Sequence, residues 1–304
     1  MNSKNSQIVN ANGTQIAYEI HGNKDAPVIL LIHGLGMPMA AWPMAVVNKL
    51  VDKGFQVLLF DNRDQGHSQR FDHLKVPNML WQFIKLRIGL PITSPYALTD
   101  LMSDTLGLIN ALNIKSVHVV GISMGGMIAQ LLALQEPDRV KSLTSIMSTT
   151  GNKKIPGPTK IVAAHLINKP KIKSKQDVID YHIKTWELIG SPGYPTSQQD
   201  LKAFVLNLMD RGMSAVGTAR QMLAIISAPS RSKALSSLKM PVQVIHGLND
   251  PLVRVEGGID TAASIAHAQK HLIEGMGHDL PVQLHDQICE LICLQASEVE
   301  RATK

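Results

Sequence analysis

Ser116-Val117-His118-Val119-Val120-Gly121-Ile122-Ser123-Met124-Gly125-Gly126-Met127-Ile128-Ala129-Gln130-Leu131-Leu132-Ala133-Leu134-Gln135-Glu136 is the stretch that decides the fold. Val117 to Val120 is a short, β-rich apolar run, the pattern of a strand buried on both faces. After Met124, the residues Met127, Ile128, Leu131 and Leu132 keep the spacing of one helix face, and Pro137 ends it. Between strand and helix lies Gly121-Ile122-Ser123-Met124-Gly125, a Gly-x-Ser-x-Gly pentapeptide. Ser123 is therefore expected on a sharp, strained turn, tolerated because Gly121 and Gly125 let neighbours pack closely. The turn lifts the hydroxyl above the sheet at a helix N-terminus, where peptide dipoles favour negative charge.

Working outward, residues 7–21 alternate around Asn12-Gly13, which predicts an antiparallel edge hairpin. Val28 to Ile32 and Gln56 to Phe60 read as buried strands, with a helix from about Pro43 to Lys53 between them. Residues 69–97 read as an irregular insertion with a short helix near 78–86, expected to form a pocket wall, although an apolar, basic helix can also touch a membrane. Thr99-Asp100 starts the helix that precedes the central strand, and Val140 to Met147 is the sixth strand. From Ser148 to about Ser237 the strand–helix rhythm stops, and helical patterns appear near 176–189, 198–210 and 213–226. Rhythm resumes with a strand at Val242–His246, a helix near 256–266, a strand at Lys270–Glu274, a helix at 281–295 and a frayed tail over 297–304.

This alternation predicts an α/β fold: a mostly parallel twisted sheet with helices on both faces and a helical cap inserted after the sixth strand. The expected parts are 1–149 and 237–304 for the core and 150–236 for the cap. Ligands in such sheets bind at the carboxyl ends of the strands, which is where Ser123 would lie.

Composition narrows the class. Of 304 residues 44% are apolar, enough for a sizeable core, and only 4% are aromatic, too few for base-stacking platforms. A net charge of +6 falls short of a nucleic-acid footprint. Lys153, Lys154, Lys160, Lys169, Lys171, Lys173 and Lys175 read as a solvated loop face rather than an anionic-lipid patch. The two cysteines, Cys289 and Cys293, read as reduced core thiols. The first seven residues are polar and no apolar run is long enough for a membrane span, so a cytoplasmic protein without stable membrane insertion is expected. Oligomeric state is left open.

A serine hydroxyl is a weak nucleophile until a base takes its proton, and the base needs an acid to orient it. In a fold of this chain order the acid follows the penultimate strand and the base follows the last. Asp250, in His246-Gly247-Leu248-Asn249-Asp250-Pro251, and His278, in Glu274-Gly275-Met276-Gly277-His278-Asp279, occupy those loops. Asp279 is a poorer acid, because neighbours in a tight turn rarely orient each other, and residues 148–160 hold no Asp or Glu. An oxyanion needs two donors: the backbone N–H of Met124 and that of Leu35, in the glycine-flanked His33-Gly34-Leu35-Gly36 loop. His33 is expected to brace that loop, Asp61, Arg63 and Ser68 to tie the polar turn at 61–68 together, and His67 to lie at the surface.

Taken together, His33-Gly34, the Asp-x-Arg-x-x-Gly-x-Ser turn at 61–68, the serine turn, the Asp250 loop and Gly277-His278 resemble the α/β-hydrolase fold family over nearly the whole chain. The 61–68 turn and Gly121 to Thr150 are most similar to bacterial carboxylesterases of the aclacinomycin methylesterase type. The resemblance implies a serine carboxylesterase for small to medium esters, without cofactor or metal. Ser123, Asp250 and His278 would be its triad, Leu35 and Met124 its oxyanion donors. Met209, Met213, Met222 and Leu223 in the cap are candidates for an apolar pocket, or equally for cap core. His-Gly-Leu-Gly in place of His-Gly-Gly-Gly argues against bulky tertiary-alcohol esters.

A serine at position 123 excludes dehalogenases and epoxide hydrolases of this fold, which need an aspartate there. Gly34-x-Gly36 has Met39 where a dinucleotide fingerprint needs its third glycine. There is no His-Glu-x-x-His, and His267 and His271 lack a clustered acid. C–C hydrolases of meta-cleavage products, cofactor-free perhydrolases and ligand-binding receptors of this fold remain open alternatives.

Overall fold

The computed structural model describes residues 6–168 and 173–302. In chain order the strands are β1 Gln7–Ala11, β2 Thr14–His21, β3 Val28–Ile32, β4 Gln56–Phe60, β5 Val117–Ile122, β6 Val140–Ile146, β7 Val242–Gly247 and β8 Gln269–Ile273. The helices are α1 Met44–Asp52, α2 Met79–Arg87, α3 Leu98–Ala111, α4 Met124–Gln135, α5 Lys160–Ile167, α6 Lys175–Ile189, α7 Gln198–Asp210, α8 Ala215–Ser227, α9 Ser232–Leu235, α10 Val255–Ala263 and α11 His285–Ala302.

The strands form one sheet in the order β1-β2-β4-β3-β5-β6-β7-β8. β2 runs antiparallel to β1 and β4, and every pairing from β4 to β8 is parallel. Asn12 (φ 55°) and Gly13 (φ 90°) make the β1–β2 hairpin, the left-handed pair that matches strand twist. Residues alternate across the sheet. Leu30, Ile32, Leu58 and Phe60 pack with residues of α3 and α4, whereas Ile29, Leu31, Val57 and Leu59 pack with residues of α1 and α11 on the other face. That two-sided burial is why the parallel strands read as unbroken apolar runs.

Between β6 and β7 the chain makes α5 to α9. Three serines set the starts of the longer ones: Ser174, Ser197 and Ser214 accept the N–H groups of Asp177, Asp200 and Gly217.

The structure corrects several expectations. α3 starts at Leu98, because the Asp100 carboxylate accepts the Ala97 N–H at 2.7 Å, so Thr99 is inside the helix rather than at its cap. α5, begun by Thr159, is a helix that the proline- and lysine-rich sequence concealed. The expected frayed tail is helical to Ala302, pinned by Glu300 to His118 (3.1 Å) and Lys141 (2.5 Å). The 78–86 helix exists as α2, but Leu80, Trp81, Ile84 and Leu86 face solvent rather than a pocket. Of the lysine run, Lys153, Lys154, Lys160, Lys173 and Lys175 are exposed, while Lys169, Lys171 and the neighbouring Pro170 lie outside the described residues. Cys289 and Cys293 are unpaired and buried, and burial pushes their thiols up to about 12 and about 11, which leaves them inert as nucleophiles. Among the described residues no helix is long and apolar enough to cross a membrane.

Candidate active site

Ser123 joins β5 to α4 at φ 54° and ψ −118°, a conformation that L-residues rarely adopt. Its neighbours over-determine the turn. The Ser123 N–H donates to the Ile146 carbonyl at 3.0 Å, and the Ser148 hydroxyl donates to the Ser123 carbonyl at 2.7 Å. A Cβ on Gly121 would stand 2.2 Å from the Gly125 carbonyl oxygen, and one on Gly125 would stand 2.1 Å from that of Ile32. Glycine at both positions is thus required by packing.

The loops after β7 and β8 bring two further groups to this turn. His278 Nε2 lies 3.1 Å from Ser123 Oγ, and His278 Nδ1 lies 2.6 Å from Asp250 Oδ2. The other Asp250 oxygen accepts the N–H groups of Leu252 and Val253, each at 2.9 Å. Burial alone would raise the Asp250 pKa. The adjacent His278 and the bonds from His246 and His278 outweigh it and hold the carboxyl well below the usual carboxylate range. Asp250 is ionised and directed at the far side of the imidazole. Asp279 turns away instead: it accepts the Ser191 hydroxyl, which also accepts the Gly277 N–H. With the His278 N–H donating to Ile189 O at 2.7 Å, this fastens the histidine loop to the end of α6.

The 33–36 loop runs beside the serine. A Cβ on Gly34 would stand 3.2 Å from Ser123 Cβ. The Leu35 N–H, and the Met124 N–H in the first turn of α4, have no hydrogen-bond acceptor among the described residues. Leu35 follows Gly34, which packs on Ser123, and Met124 follows Ser123 itself, so both donors lie close to the serine in the chain. The loop is held from both sides: His33 Nδ1 accepts the Gly34 N–H at 2.7 Å, and Gln221 of α8 accepts the Gly36 N–H at 2.8 Å.

Burial pushes the His33 pKa down to about 3, the Ala41 carbonyl only partly offsetting it. The folded protein therefore keeps His33 neutral, while the unfolded chain binds a proton below about 6.5. Stability is complete above that value and falls as the pH drops toward 3, by up to about 1.4 kcal/mol per pH unit from this group. Urea unfolding at a series of pH values should show that loss, and His33→Asn should make the slope between pH 6.5 and 3 shallower. An unchanged slope in the variant would assign the acid lability to other groups.

Reading the sequence missed the residues that hold the inserted helices down. Arg211 ion-pairs with Asp61 (3.0 Å) and Glu19 (3.2 Å). Arg220 forms a two-point bond to Asp64 at 2.8 Å each, and Arg231 binds Gln130 at 2.9 Å. The expected role of the 61–68 turn is thus widened. Asp61 accepts from Met39 and His67 N–H groups and Ser68 donates to the Asp61 carbonyl, while Arg63 is committed to Asp104 in α3. The His67 side chain is exposed.

Of the pocket candidates, Leu223 is fully buried, and Met209, Met213 and Met222 are half-buried. Met222 follows Thr218 by one helical turn, on the side of α8 that meets Gly36. Among the described residues no group of three His, Cys, Asp or Glu side chains could hold a metal ion, and His267 is spent on the Met240 carbonyl at 2.8 Å.

Sheet order, serine turn and loop positions define the class: the chain has the fold of the α/β-hydrolase family. The model of that family, alpha/beta hydrolase fold, matches residues 27–166. The chain is 26% identical to the rhodomycin D methylesterase of a Streptomyces species, covering 88% of itself and 90% of that protein. It is 23% identical to a 2-hydroxy-6-oxononadienedioate/2-hydroxy-6-oxononatrienedioate hydrolase of Cupriavidus pinatubonensis, covering 90% and 89%. The meta-cleavage product hydrolase structure from Pseudomonas fluorescens superposes with a TM-score of 0.75 at 18% identity, over 98% of this chain and 99% of that one.

Proposed function

We propose that the protein is a serine carboxylester hydrolase acting on esters of small alcohols, with residues 150–236 as a cap over the site. The observation that carries the reading is the hydrogen-bonded relay from Ser123 through His278 to Asp250, at 3.1 and 2.6 Å. In this reading Ser123 Oγ attacks the ester carbonyl carbon as His278 Nε2 takes its proton, and the charge on the carbonyl oxygen falls between the Leu35 and Met124 N–H groups. His278 returns the proton to the leaving alcohol. Asp250 keeps Nδ1 protonated and stabilises the imidazolium. Water, deprotonated by the same imidazole, then releases the acid from Ser123. No cofactor is needed. Likeness to a methylesterase over most of both chains supports a small alcohol and a larger acid. Met222, beside the loop that holds Leu35, is the first pocket residue to vary. Two reduced, buried thiols support a cytoplasmic setting.

The test is a burst experiment with mass spectrometry. Methyl and p-nitrophenyl esters of increasing acid size should give an acyl adduct on the tryptic peptide containing Ser123, and turnover should continue past one equivalent. Stoichiometric binding without turnover would mean a receptor. The C–C hydrolase reading rests on the Cupriavidus relative, and faster consumption of a dienone acid than of any ester would favour it.

A further inference from the structure

α2 is assembled inside out. Its one fully buried side chain is a glutamine, Gln82, whose Oε1 accepts the Thr93 N–H at 2.9 Å. Met79 and Phe83 are half-buried, but a set of large apolar side chains points to water: Leu80 is 65% exposed, Trp81 49%, Ile84 40% and Ile88, the capping residue, 60%. Leu80, Ile84 and Ile88 recur every four residues and Trp81 lies one position along, so they form one continuous stripe. Leu90, just beyond the helix, is also exposed. Single exposed hydrophobics need no explanation, but a contiguous group of this kind marks a surface built to be covered.

The charges around the stripe identify what covers it. Arg87 follows Ile84 by three and Lys85 follows Trp81 by four, which sets one cation on each flank of the apolar band. Lys75 lies just before the helix, and from 73 to 99 the chain contains no Asp or Glu. The Lys85 ammonium gives one hydrogen bond to Thr93 at 3.3 Å, which leaves its remaining donors free. An apolar stripe edged by long cationic side chains fits an anionic lipid surface: the stripe enters the acyl boundary and the cations reach up to phosphates. A second copy fits poorly, because two-fold pairing of the stripe would set these flanking cations against their own equivalents. Beside α2, a groove of about 400 Å³ between residues 72–76 and α8 adds Leu74, Val76 and the exposed Val216 to the same region, and the carboxylate on its wall, Asp72, is paired with Arg220 at 3.0 Å.

We propose that α2 is a peripheral docking helix that seats this protein on anionic membranes. It lies in the interface plane without spanning the bilayer. The proposal stands independently of the reaction that Ser123 performs.

The full-length protein is mixed with vesicles of phosphatidylcholine alone, or with phosphatidylglycerol added, and bound protein is measured by co-sedimentation. Binding should require phosphatidylglycerol, weaken in high salt, and bring Trp81 within reach of bromolipid quenching that Trp81→Phe removes. Ile84→Glu/Ile88→Glu and Lys85→Glu/Arg87→Glu should each weaken partitioning by about tenfold or more. All four side chains lie outside the core, so melting temperature and hydrolysis of a soluble ester should not change. Equal binding of variants and parent, or equal binding to both vesicle types, overturns the proposal. So does sedimentation velocity showing a dimer that Ile84→Glu/Ile88→Glu converts to monomer.

Discussion

Ser123→Ala should lower kcat/KM for short p-nitrophenyl esters by about 10³-fold or more. Alanine keeps the Cβ and the backbone bonds that hold the turn, to Ile146 and from Ser148, so the variant should remain folded. What it loses is the oxygen that lies 3.1 Å from His278. The residual rate should match what the two free N–H donors and substrate binding supply without a nucleophile. Because the three side chains act as one relay, the losses should not add: Ser123→Ala/His278→Ala should be no slower than Ser123→Ala alone. Steady-state kinetics on the parent, Ser123→Ala, His278→Ala and the double variant checks this. Additive losses, or a Ser123→Ala rate within a few-fold of the parent, would remove the relay from the chemistry.

The sequence was informative where chemistry and periodicity coincide. The strand before Ser123 and the helix after it are unbroken apolar patterns, and chain order alone directed attention to the loops that hold Asp250 and His278. Those three side chains do meet at the carboxyl edge of the sheet. The hairpin at Asn12-Gly13 was legible for the same reason, since its turn chemistry is local. What was hidden depends on tertiary partners. Arg220, within a helical pattern, and Arg211 and Arg231, between and after the patterns, look like surface charges until Asp64, Asp61 and Gln130 are seen beside them. The described lysines of the inserted region stay in water, whereas these arginines are buried. A planar guanidinium can satisfy a carboxylate at two points and still donate to carbonyls, which an ammonium does less well. α2 misled for a related reason: spacing reveals that a helix has an apolar stripe but not which way the stripe faces, and here Gln82 takes the inner position. The last turns of α11 were unreadable because their anchor, Glu300, is held by His118 and Lys141 from distant strands.

Arg220→Met should be the most damaging substitution among the inserted helices, costing about 3–5 kcal/mol. Arg220 is 1% exposed, and its guanidinium meets both oxygens of Asp64, the Leu74 carbonyl and Asp72. Asp64 is itself fully buried and is also held by the Phe71 N–H and the Tyr96 hydroxyl, both at 2.8 Å. Burial opposes its charge, but the Arg220 bond, with those two donors, keeps its carboxyl below the usual range. Methionine fills much of the vacated volume, so the expected loss comes from a buried carboxylate left without its cation. The melting temperature should fall by about 6–10 °C, at roughly 2 °C per kcal/mol for a chain of this length. Activity should fall with it, because the next residue, Gln221, holds the Gly36 N–H, and a Cβ on Gly217 would stand 2.3 Å from the Asp64 carbonyl oxygen. The helix that carries Arg220 therefore cannot shift without disturbing the loop beside Ser123. Asp64→Asn in the Arg220→Met background removes the orphaned charge. The double variant should regain part of the lost stability, giving a coupling of about 1–3 kcal/mol in a double-mutant cycle. It should also regain activity in proportion to its folded fraction at the assay temperature. Additive losses would mean that the pair is energetically silent and that packing alone secures α8.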